Sequence, residues 1–460
     1  MSHRVETDSM GSMHIPENML YGASTQRAVE NFPISGIRFP RNFIRALGWI
    51  KWSCAQANIS LELLDPHLGD AILQAISEIA EGKYDEHFVL DIFQTGSGTS
   101  TNMNFNEVAA NIANLSLGSE IGSKSPIHPN DHINLGQSSN DIFPSTIHVA
   151  AALQVHEQLL PTLNQLHQDF QKKVAEFATV IKIGRTHLQD ATPLTLGQEF
   201  SGYACQIKKS IHRIEDALHG VYELAVGGTA VGTGINSHID FGKNVAAILC
   251  KKFNIPFSEA ENHFEAQATK DACVQLSGSL KTLAVSLTKI GNDIRWLSSG
   301  PRCGIGEITV PEVQPGSSIM PGKVNPVIIE SLLQVCTQVI GNDVTISIAG
   351  SSGNFELNTM MPLISRNLLE SIQLLNNAIS LFSEKCILGI KPNYIEIQGN
   401  LDKSLMLVTA LVPSIGYDKA AEIARKAFEE NKNILEVATK MLSIPAAELE
   451  KLLNTKNMMC

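Results

Sequence analysis

The sequence predicts an all-α protein built around a central bundle of long helices. Apolar residues recur in alternating steps of four and three from Leu276 to Leu297, which is a heptad seam held over three repeats. Residues 327–348 are apolar on nearly every side, and a helix of that kind must be surrounded by other helices. No alternating strand pattern of comparable length competes with these segments. Because seams with a period of about 3.5 residues pack nearly parallel, we expect a helical bundle.

Three predicted domains follow from the order of these patterns. Residues 1–138 indicate short helices mixed with loops, which we assign to an N-terminal domain. Residues 139–395 form the predicted central domain, whose long helical patterns cover residues 159–177, 276–297, 328–339 and 368–382. Prolines then interrupt the pattern, at Pro392, Pro413 and Pro445. We therefore expect residues 396–460 to form a small helical C-terminal domain.

The nearly all-apolar helix at residues 327–348 also bears on assembly. A single small bundle cannot easily surround one helix on every side. We therefore expect neighbouring copies of the chain to bury it. A central position within a large monomer is the alternative.

Composition argues against several classes of protein. The 460 residues are 43% hydrophobic and 18% charged, which is enough apolar material for an extensive core. The formal net charge is −11 and no basic block occurs, so we expect neither nucleic acid nor an anionic membrane as the main partner. Eight cysteines are scattered without a Cys-x-x-Cys pair, which argues against a zinc ribbon, an iron–sulfur cluster or a disulfide framework. We expect no metal and no other cofactor.

The N-terminal residues 1–16 contain neither an apolar signal core nor an arginine-rich transit pattern, and they include Glu6 and Asp8. No run of about 18 or more apolar residues predicts a membrane span. Scattered cysteines are typical of free thiols in a reducing compartment. We expect a cytoplasmic protein.

Polar, glycine-rich loops between the helices contain the candidate site residues. The loop at residues 314–325 contains Gly316, Gly322 and Lys323, which suggests a phosphate-binding loop. Five residues rather than four separate Gly316 from Gly322, and valine follows Lys323, so the Walker spacing fails. Lys323 and Asn325 stand directly before the apolar helix, where polar groups without a partner are costly. A bound carboxylate would supply that partner.

Two further loops are rich in neutral hydrogen-bond donors. Residues 95–104 combine glycines with hydroxyl and amide side chains, and residues 137–141 repeat that chemistry. A solvated turn that caps the next helix is the alternative for the first loop. A fourth segment, residues 184–190, contains His187, whose side chain is suited to proton exchange near neutral pH. A buried structural histidine is the alternative there.

Residues 128–132 place His128 and His132 four positions apart with Asp131 between them. On a helix that spacing would resemble a zinc pair, but the HExxH pattern is absent. Pro129 also argues against a helix at this point. We expect no metal at this segment.

Taken together, the four loops resemble the fumarase/aspartase superfamily. Residues 316–325, Gly-Ser-Ser-Ile-Met-Pro-Gly-Lys-Val-Asn, are similar to its highly specific signature loop, and the other loops follow in the family's order and at its usual separations. The likeness covers essentially the whole chain, from Glu6 and residues 21–27 to the C-terminal helices. It implies the three-domain fold of that family. It also implies a homotetramer whose central helices share one bundle and whose active sites each draw on three subunits.

Two positions favour class II fumarases within the superfamily. Residues 184–187 read Gly-Arg-Thr-His, where aspartases have glutamine in place of His187, and Ser139 stands where aspartases have threonine. The resemblance therefore implies a fumarate hydratase that interconverts fumarate and L-malate in the tricarboxylic acid cycle. Aspartate ammonia-lyase or another lyase of the superfamily is the alternative. A catalytically silent helical scaffold is a more distant one.

The resemblance also implies roles for single residues. Ser317 would take the carbon-bound proton as an alkoxide, and Lys323 would help to bind the resulting aci-carboxylate. His187, oriented and charged by Glu330, would give a proton to the departing hydroxyl. The other implied substrate-binding residues are Ser97, Gly98, Thr99, Ser138, Ser139, Asn140, Thr186, Ser318, Val324 and Asn325. A second, non-catalytic dicarboxylate site is implied at His128, Pro129, Asn130 and Asp131.

Overall fold

Helices dominate the computed structural model, which describes residues 2–458. The chain is 63% helical, which confirms the all-α prediction. Within the described residues the strands pair only as small two-stranded sheets. Residue 1 and residues 459–460, the end of the predicted C-terminal domain, lie outside the described part of the chain.

The helices and strands are numbered in chain order. The helices are α1 (Ala23–Asn31), α2 (Arg41–Ser60), α3 (Pro66–Ala80), α4 (Thr99–Ser116), α5 (Ser139–Gln154), α6 (Leu160–Glu176), α7 (Leu196–Val221), α8 (Phe241–Phe253), α9 (His263–Ala268), α10 (Asp271–Leu297), α11 (Val327–Gly350), α12 (Met361–Lys385), α13 (Tyr394–Lys403), α14 (Val412–Ile415), α15 (Tyr417–Glu430), α16 (Ile434–Met441) and α17 (Ala446–Leu452). The strands are β1 (His3–Asp8), β2 (Gly11–Pro16), β3 (Ile181–Thr186), β4 (Gln189–Thr195), β5 (Glu223–Leu224), β6 (Ser258–Glu259), β7 (Ile308–Thr309), β8 (Gly353–Asn354), β9 (Leu357–Asn358) and β10 (Lys391–Pro392).

The chain forms two compact units, each assembled from three stretches of sequence. Unit 1 consists of Met1–Pro161, His212–Ala284 and Thr337–Asn376. Unit 2 consists of Thr162–Ile211, Val285–Cys336 and Asn377–Cys460. The division into three domains at residues 138 and 395 stays a prediction.

The long helices follow the predicted periodicity. The predicted segments lie in α6, α10, α11 and α12, and the seam residues of α10 from Leu276 to Ile294 are completely buried. The sequence analysis missed α7, although its buried residues Phe200, Tyr203, Ile207 and Ile214 are also spaced three, four and seven apart. Periodic burial of one stripe therefore accounts for most of the helical content.

The N-terminal region contradicts the prediction of short helices and loops. Helix α2 has 20 residues and α4 has 18. Helix α2 packs closely on α3, because a Cβ atom on Gly48 would lie 2.9 Å from the Cβ atom of Ala80. Small residues and the buried Lys51 interrupt its apolar stripe, which is why periodicity alone did not reveal the helix.

Helix α11 is only partly covered within one chain. Ile329, Leu332 and Cys336 are buried, whereas Val344 is 54% and Ile348 is 64% exposed. Exposed apolar residues four positions apart on one helix form a contiguous surface.

No helix of residues 2–458 combines the length and the apolar character that crossing a membrane requires.

Candidate active site

The predicted site residues fall into two groups, one in each compact unit. Unit 1 contains Ser97, Gly98, Thr99, His128, Pro129, Asn130, Asp131, Ser138, Ser139 and Asn140. Unit 2 contains Thr186, His187, Ser317, Ser318, Lys323, Val324, Asn325 and Glu330. Each group is described within its own unit.

In unit 1 the beginnings of α4 and α5 meet through their hydroxyl groups. The Thr99 Oγ1 atom lies 2.6 Å from Ser139 Oγ and 2.8 Å from Ser97 Oγ. Gly98 has a φ of 74°, and a Cβ atom there would lie 2.0 Å from the ring of Phe143, so only glycine fits this turn. Helix N-termini carry partial positive charge and unpaired N–H groups, which suits them to an anion.

The start of α5 is fixed by a capping box. The Ser138 hydroxyl accepts from the Asn140 N–H, and the Asp141 carboxylate accepts from the Ser138 N–H at 2.9 Å. Asp141 also accepts from the N–H groups of Gly227 and Thr229, while the Asn140 amide donates to Ala230 O. Burial raises the pKa of Asp141 to about 6 even with these donors. The sequence analysis missed residues 227–230, although their glycines are a signal for a loop.

His128 caps a short π-helical turn, Pro129–Ile133, although Pro129 was expected to argue against a helix at this point. Proline is tolerated because it occupies the first helical position, where no intrahelical N–H bond is needed. The His128 Nδ1 atom accepts from the N–H groups of Asn130 and Asp131, and the His132 Nδ1 atom accepts from the His128 N–H. These ring nitrogens therefore cap the turn. Within residues 2–458 no group of histidine, cysteine and acidic side chains has metal-binding geometry.

In unit 2 the predicted acid lies at the tip of the β3–β4 hairpin. Thr186 pairs with Gln189, so His187 and Leu188 form a two-residue turn. Their φ angles are 57° and 59°, in the left-handed region that costs a residue other than glycine roughly 1–2 kcal/mol. Such strain persists where the surroundings fix the backbone, and it clusters at functional sites. The His187 side chain is exposed.

Buried ion pairs hold the base of this hairpin. Arg185 donates to both carboxylate oxygens of Glu307, at 2.7 and 3.0 Å. Lys182 lies 3.3 Å from Glu307 and 2.9 Å from Glu199. Burial alone would raise the pKa of Glu307, but the two cations outweigh it and hold that pKa below its usual value. Two cations and two carboxylates therefore hold the base of the hairpin, while His187 at its tip is exposed.

The signature loop closes onto the segment before α11. The Gly316 N–H donates to Lys323 O at 2.7 Å, and the Asn325 amide donates to Gly316 O at 2.8 Å. The Lys323 ammonium donates to Asn325 Oδ1. A Cβ atom on Gly316 would lie 2.7 Å from Lys323 O, which explains the glycine. The lysine and the amide are thus held side by side.

Ser317 has an environment that suits a base. Its Oγ atom accepts from the N–H groups of Ile319 at 3.2 Å and Met320 at 3.0 Å. Hydrogen bonds that donate to a group's anionic form favour ionisation. The loop therefore supplies two donors to an alkoxide at this position. Ser318, the next residue, is exposed.

A cavity of about 600 Å³ in unit 2 brings together Lys323, Val324, Asn325 and Glu330. That volume suits a small ligand together with water. The described residues that line this cavity do not include Thr186, His187 or Ser317. Other polar residues that line the cavity were not predicted from the sequence, namely Asn292, Arg295, Ser298, Ser299, Thr309, Glu312 and Asn393. The Gly-Pro-Ser-rich segment at residues 298–306 was the available signal for this wall.

Comparison with known proteins identifies the family of this chain. The Lyase family model matches residues 11–341, and the model of the fumarase C C-terminus matches residues 407–460. The chain is 52% identical to the class II fumarate hydratase of Neisseria meningitidis serogroup A, over 98% of both proteins. The chain belongs to the class II fumarate hydratase family. Its identity to the human mitochondrial fumarate hydratase is 50%, over 100% of this chain and 90% of that protein.

Solved structures of the family have the same fold. The class II fumarase of Schistosoma mansoni superposes with a TM-score of 0.97 at 41% identity, and 99% of each chain is covered. A fumarate lyase:delta crystallin structure from Brucella melitensis, bound to cobalt, gives a TM-score of 0.95 at 44% identity over 99% of each chain. Membership in the class II fumarate hydratases confirms the predicted family, fold class and hydro-lyase enzyme class. The roles of single residues stay predictions.

Proposed function

We propose that this chain catalyses the reversible hydration of fumarate to L-malate, a step of the tricarboxylic acid cycle. Its relatives over the full length are named fumarate hydratases. The observation that carries the proposal is His187, held in a strained conformation at the tip of the anchored hairpin. A proton donor at this position suits a hydroxyl leaving group, which must depart as water.

In the malate-to-fumarate direction the reaction begins with loss of a proton from the methylene carbon. We assign this proton to the Ser317 alkoxide, which the N–H groups of Ile319 and Met320 support. The electron pair of the broken C–H bond delocalises into the adjacent carboxylate and gives a dianionic aci-carboxylate. The double bond then forms as the C–O bond of the neighbouring carbon breaks, on the opposite face. His187 donates the proton with which the hydroxyl leaves as water.

The aci-carboxylate requires a cation and preorganised donors. Lys323 and Asn325, held side by side in the signature loop, are proposed to bind it. The proposed remaining donors are Ser97, Thr99, Ser138, Ser139, Asn140, Thr186 and Ser318. Glu330 lines the same cavity as Lys323, and we propose that it orients and charges the histidine. Removal of one such donor typically costs about 3 kcal/mol of transition-state stabilisation.

We further propose a homotetramer in which each active site draws residues from several subunits. The exposed apolar residues of α11, Val344 and Ile348, support burial against other copies of the chain. In such an assembly the proposed site residues would come from more than one copy of the chain.

Two minor assignments accompany the main one. Residues 128–131 are proposed to bind a dicarboxylate without catalysing a reaction. A cytoplasmic location is proposed because the described cysteines are all free, as expected in a reducing compartment: Cys54, Cys205, Cys250, Cys273, Cys303, Cys336 and Cys386.

Proton NMR of fumarate incubated with the protein in D₂O tests the proposed function. We expect malate with a single deuterium on its methylene carbon, because the base returns one solvent-derived proton. A parallel sample with ammonium chloride tests the ammonia-lyase alternative. Aspartate in that sample, with no malate in the first, would contradict the proposal.

A further inference from the structure

Lys51 is a buried amine that the proposed mechanism does not use. It lies on α2 and is completely buried. Its Nζ atom donates to Asn134 Oδ1 at 3.0 Å, and the negative charge of Asp141 favours the protonated amine. Burial lowers the pKa of Lys51 to about 7. Burial outweighs this attraction, so the buried amine is costly, and a use for Lys51 other than stability is expected.

The partner of Lys51 joins three parts of unit 1. Asn134 Oδ1 also accepts from the amide groups of Asn102 and Asn106, both on α4, at 3.1 Å each. The Asn134 amide in turn donates to Gln137 O at 3.0 Å. One oxygen atom therefore connects α2, α4 and the segment that runs from the π-helical turn to the start of α5.

This polar cluster is incompletely hydrogen bonded. The buried Oδ1 atoms of Asn102 and Asn106 have no hydrogen-bond partner in the described chain, and the Gln137 Oε1 atom likewise has none there. A partly satisfied buried network is less stable than an apolar core of the same volume. Stability therefore does not explain why amides and an amine occupy this place.

The cluster lies directly behind the hydroxyl pair of the proposed substrate site. Asn102 is three residues after Thr99 on α4, so it lies one turn along the same face. Gln137 immediately precedes Ser138, the capping residue of α5. The 2.6 Å contact between Thr99 and Ser139 joins the two helix starts. Movement of Asn134 would therefore change the spacing of the two helix N-termini.

We propose that Lys51 is a positioning residue for the dicarboxylate site, acting through Asn134 to set the relative placement of the α4 and α5 N-termini. It does not contact the substrate. It holds Asn134, and Asn134 holds the segment before Ser138 against α4. The hydroxyls of Thr99, Ser138 and Ser139 are thereby kept where they meet the carboxylate. This inference rests on the proposed function.

Lys51→Met removes the amine and keeps a side chain of similar length. We expect the KM for fumarate and the inhibition constant of succinate to rise by about ten- to a hundredfold, because misplacement by about 1 Å has effects of this size. Succinate binds without reacting, so its inhibition constant reports placement of the donors alone. The matched control is Lys173→Met in unit 2, which removes a buried lysine that donates to Ile390 O at 2.9 Å. The control should lose stability and keep both constants within twofold.

A double-substitution cycle separates positioning from general destabilisation. Asn134→Leu removes the acceptor, and because this residue is only half-buried the variant should fold even if Lys51→Met does not. We expect Asn134→Leu alone to weaken succinate binding as much as the double variant, because Lys51 acts only through Asn134. The inference would be overturned if the two substitutions multiplied each other's effect on the inhibition constant of succinate. An unchanged inhibition constant of succinate in either folded single variant would also overturn the inference.

The unaltered protein is assayed first with fumarate. If it forms no malate, the proposed function fails, and the inference that rests on it fails with it. If it forms malate and the variants bind succinate as the unaltered protein does, the proposed function stands and only the role of Lys51 fails.

Discussion

His187 has a backbone conformation that its sequence motif did not predict. The motif at residues 184–187 indicated a proton donor, but no local signal predicted a left-handed turn of histidine and leucine. Two-residue hairpin turns with positive φ values usually contain asparagine and glycine. The conformation depends on ion pairs of Arg185 with Glu307, which lies 122 residues away along the chain. Contacts of that range cannot be read from periodicity.

Replacement of His187 by asparagine should lower turnover by about a hundred- to ten-thousandfold, the usual contribution of a general acid. Asparagine tolerates the left-handed region, so the hairpin should keep its shape. Circular dichroism and light scattering should show an unchanged fold and assembly. Steady-state kinetics with malate measures the loss of turnover. Wild-type turnover in this variant would remove His187 from the mechanism.

Leu188, 64% exposed at a φ of 59°, provides a test of the strained turn. Leu188→Val should reduce stability by about 1 kcal/mol and also reduce turnover, because a β-branched residue is strongly disfavoured at positive φ. Leu188→Asn is the matched control and should retain both. Thermal unfolding and steady-state kinetics measure the two effects. Equal behaviour of the two variants would show that the turn conformation does not matter for activity.

At the scale of elements, the long helices were predictable and the short connections were not. Helices α10, α11 and α12 bury continuous stripes, and their spacing is visible in the sequence. Helix α2 was missed because Lys51 and Asn58 are buried by polar partners rather than by an apolar stripe. The candidate loops were predicted from composition, since glycine, hydroxyl and amide residues cluster there. The anchors of those loops, such as Asp141 and Glu307, lie on other segments and gave no local pattern.

The buried carboxylate of Glu307 should make the β3–β4 hairpin a site of acid sensitivity. Its pKa in the folded protein lies below the ordinary value of 4.5, so its ionised form stabilises the fold above that pH. This contribution is lost as pH falls through the folded pKa. Glu307→Gln should therefore lower the free energy of unfolding by about 3 kcal/mol near neutral pH and by less under acid conditions. Urea unfolding of both proteins at several pH values measures the difference, and a pH-independent difference would contradict this assignment.

At the scale of the whole molecule, a single chain leaves apolar surface on its central helices. The exposed residues include Val285 and Trp296 on α10 and Val344 and Ile348 on α11. The sequence indicated this, because residues 327–348 are apolar on nearly every side of the helix. Which subunit supplies which residue depends on contacts between copies, and no pattern within one chain specifies them. The shared active site therefore stays a proposal.

The double substitution Val344→Asp and Ile348→Asp should prevent assembly, because it places charges in the proposed apolar contact. We expect smaller species by size-exclusion chromatography with light scattering, and activity lost in parallel. The control is Glu429→Lys on the exposed face of α15, which should retain assembly and activity. Full activity in a dissociated double variant would contradict active sites shared among subunits.

The most direct test of the central claim is the ultraviolet absorbance of fumarate formed by the purified, chelator-treated protein. One sample contains L-malate and the other contains L-aspartate. The proposed function predicts that absorbance rises with malate and stays constant with aspartate. A rise with aspartate alone would contradict fumarate hydration and would mean that His187 and Ser139 do not specify the leaving group.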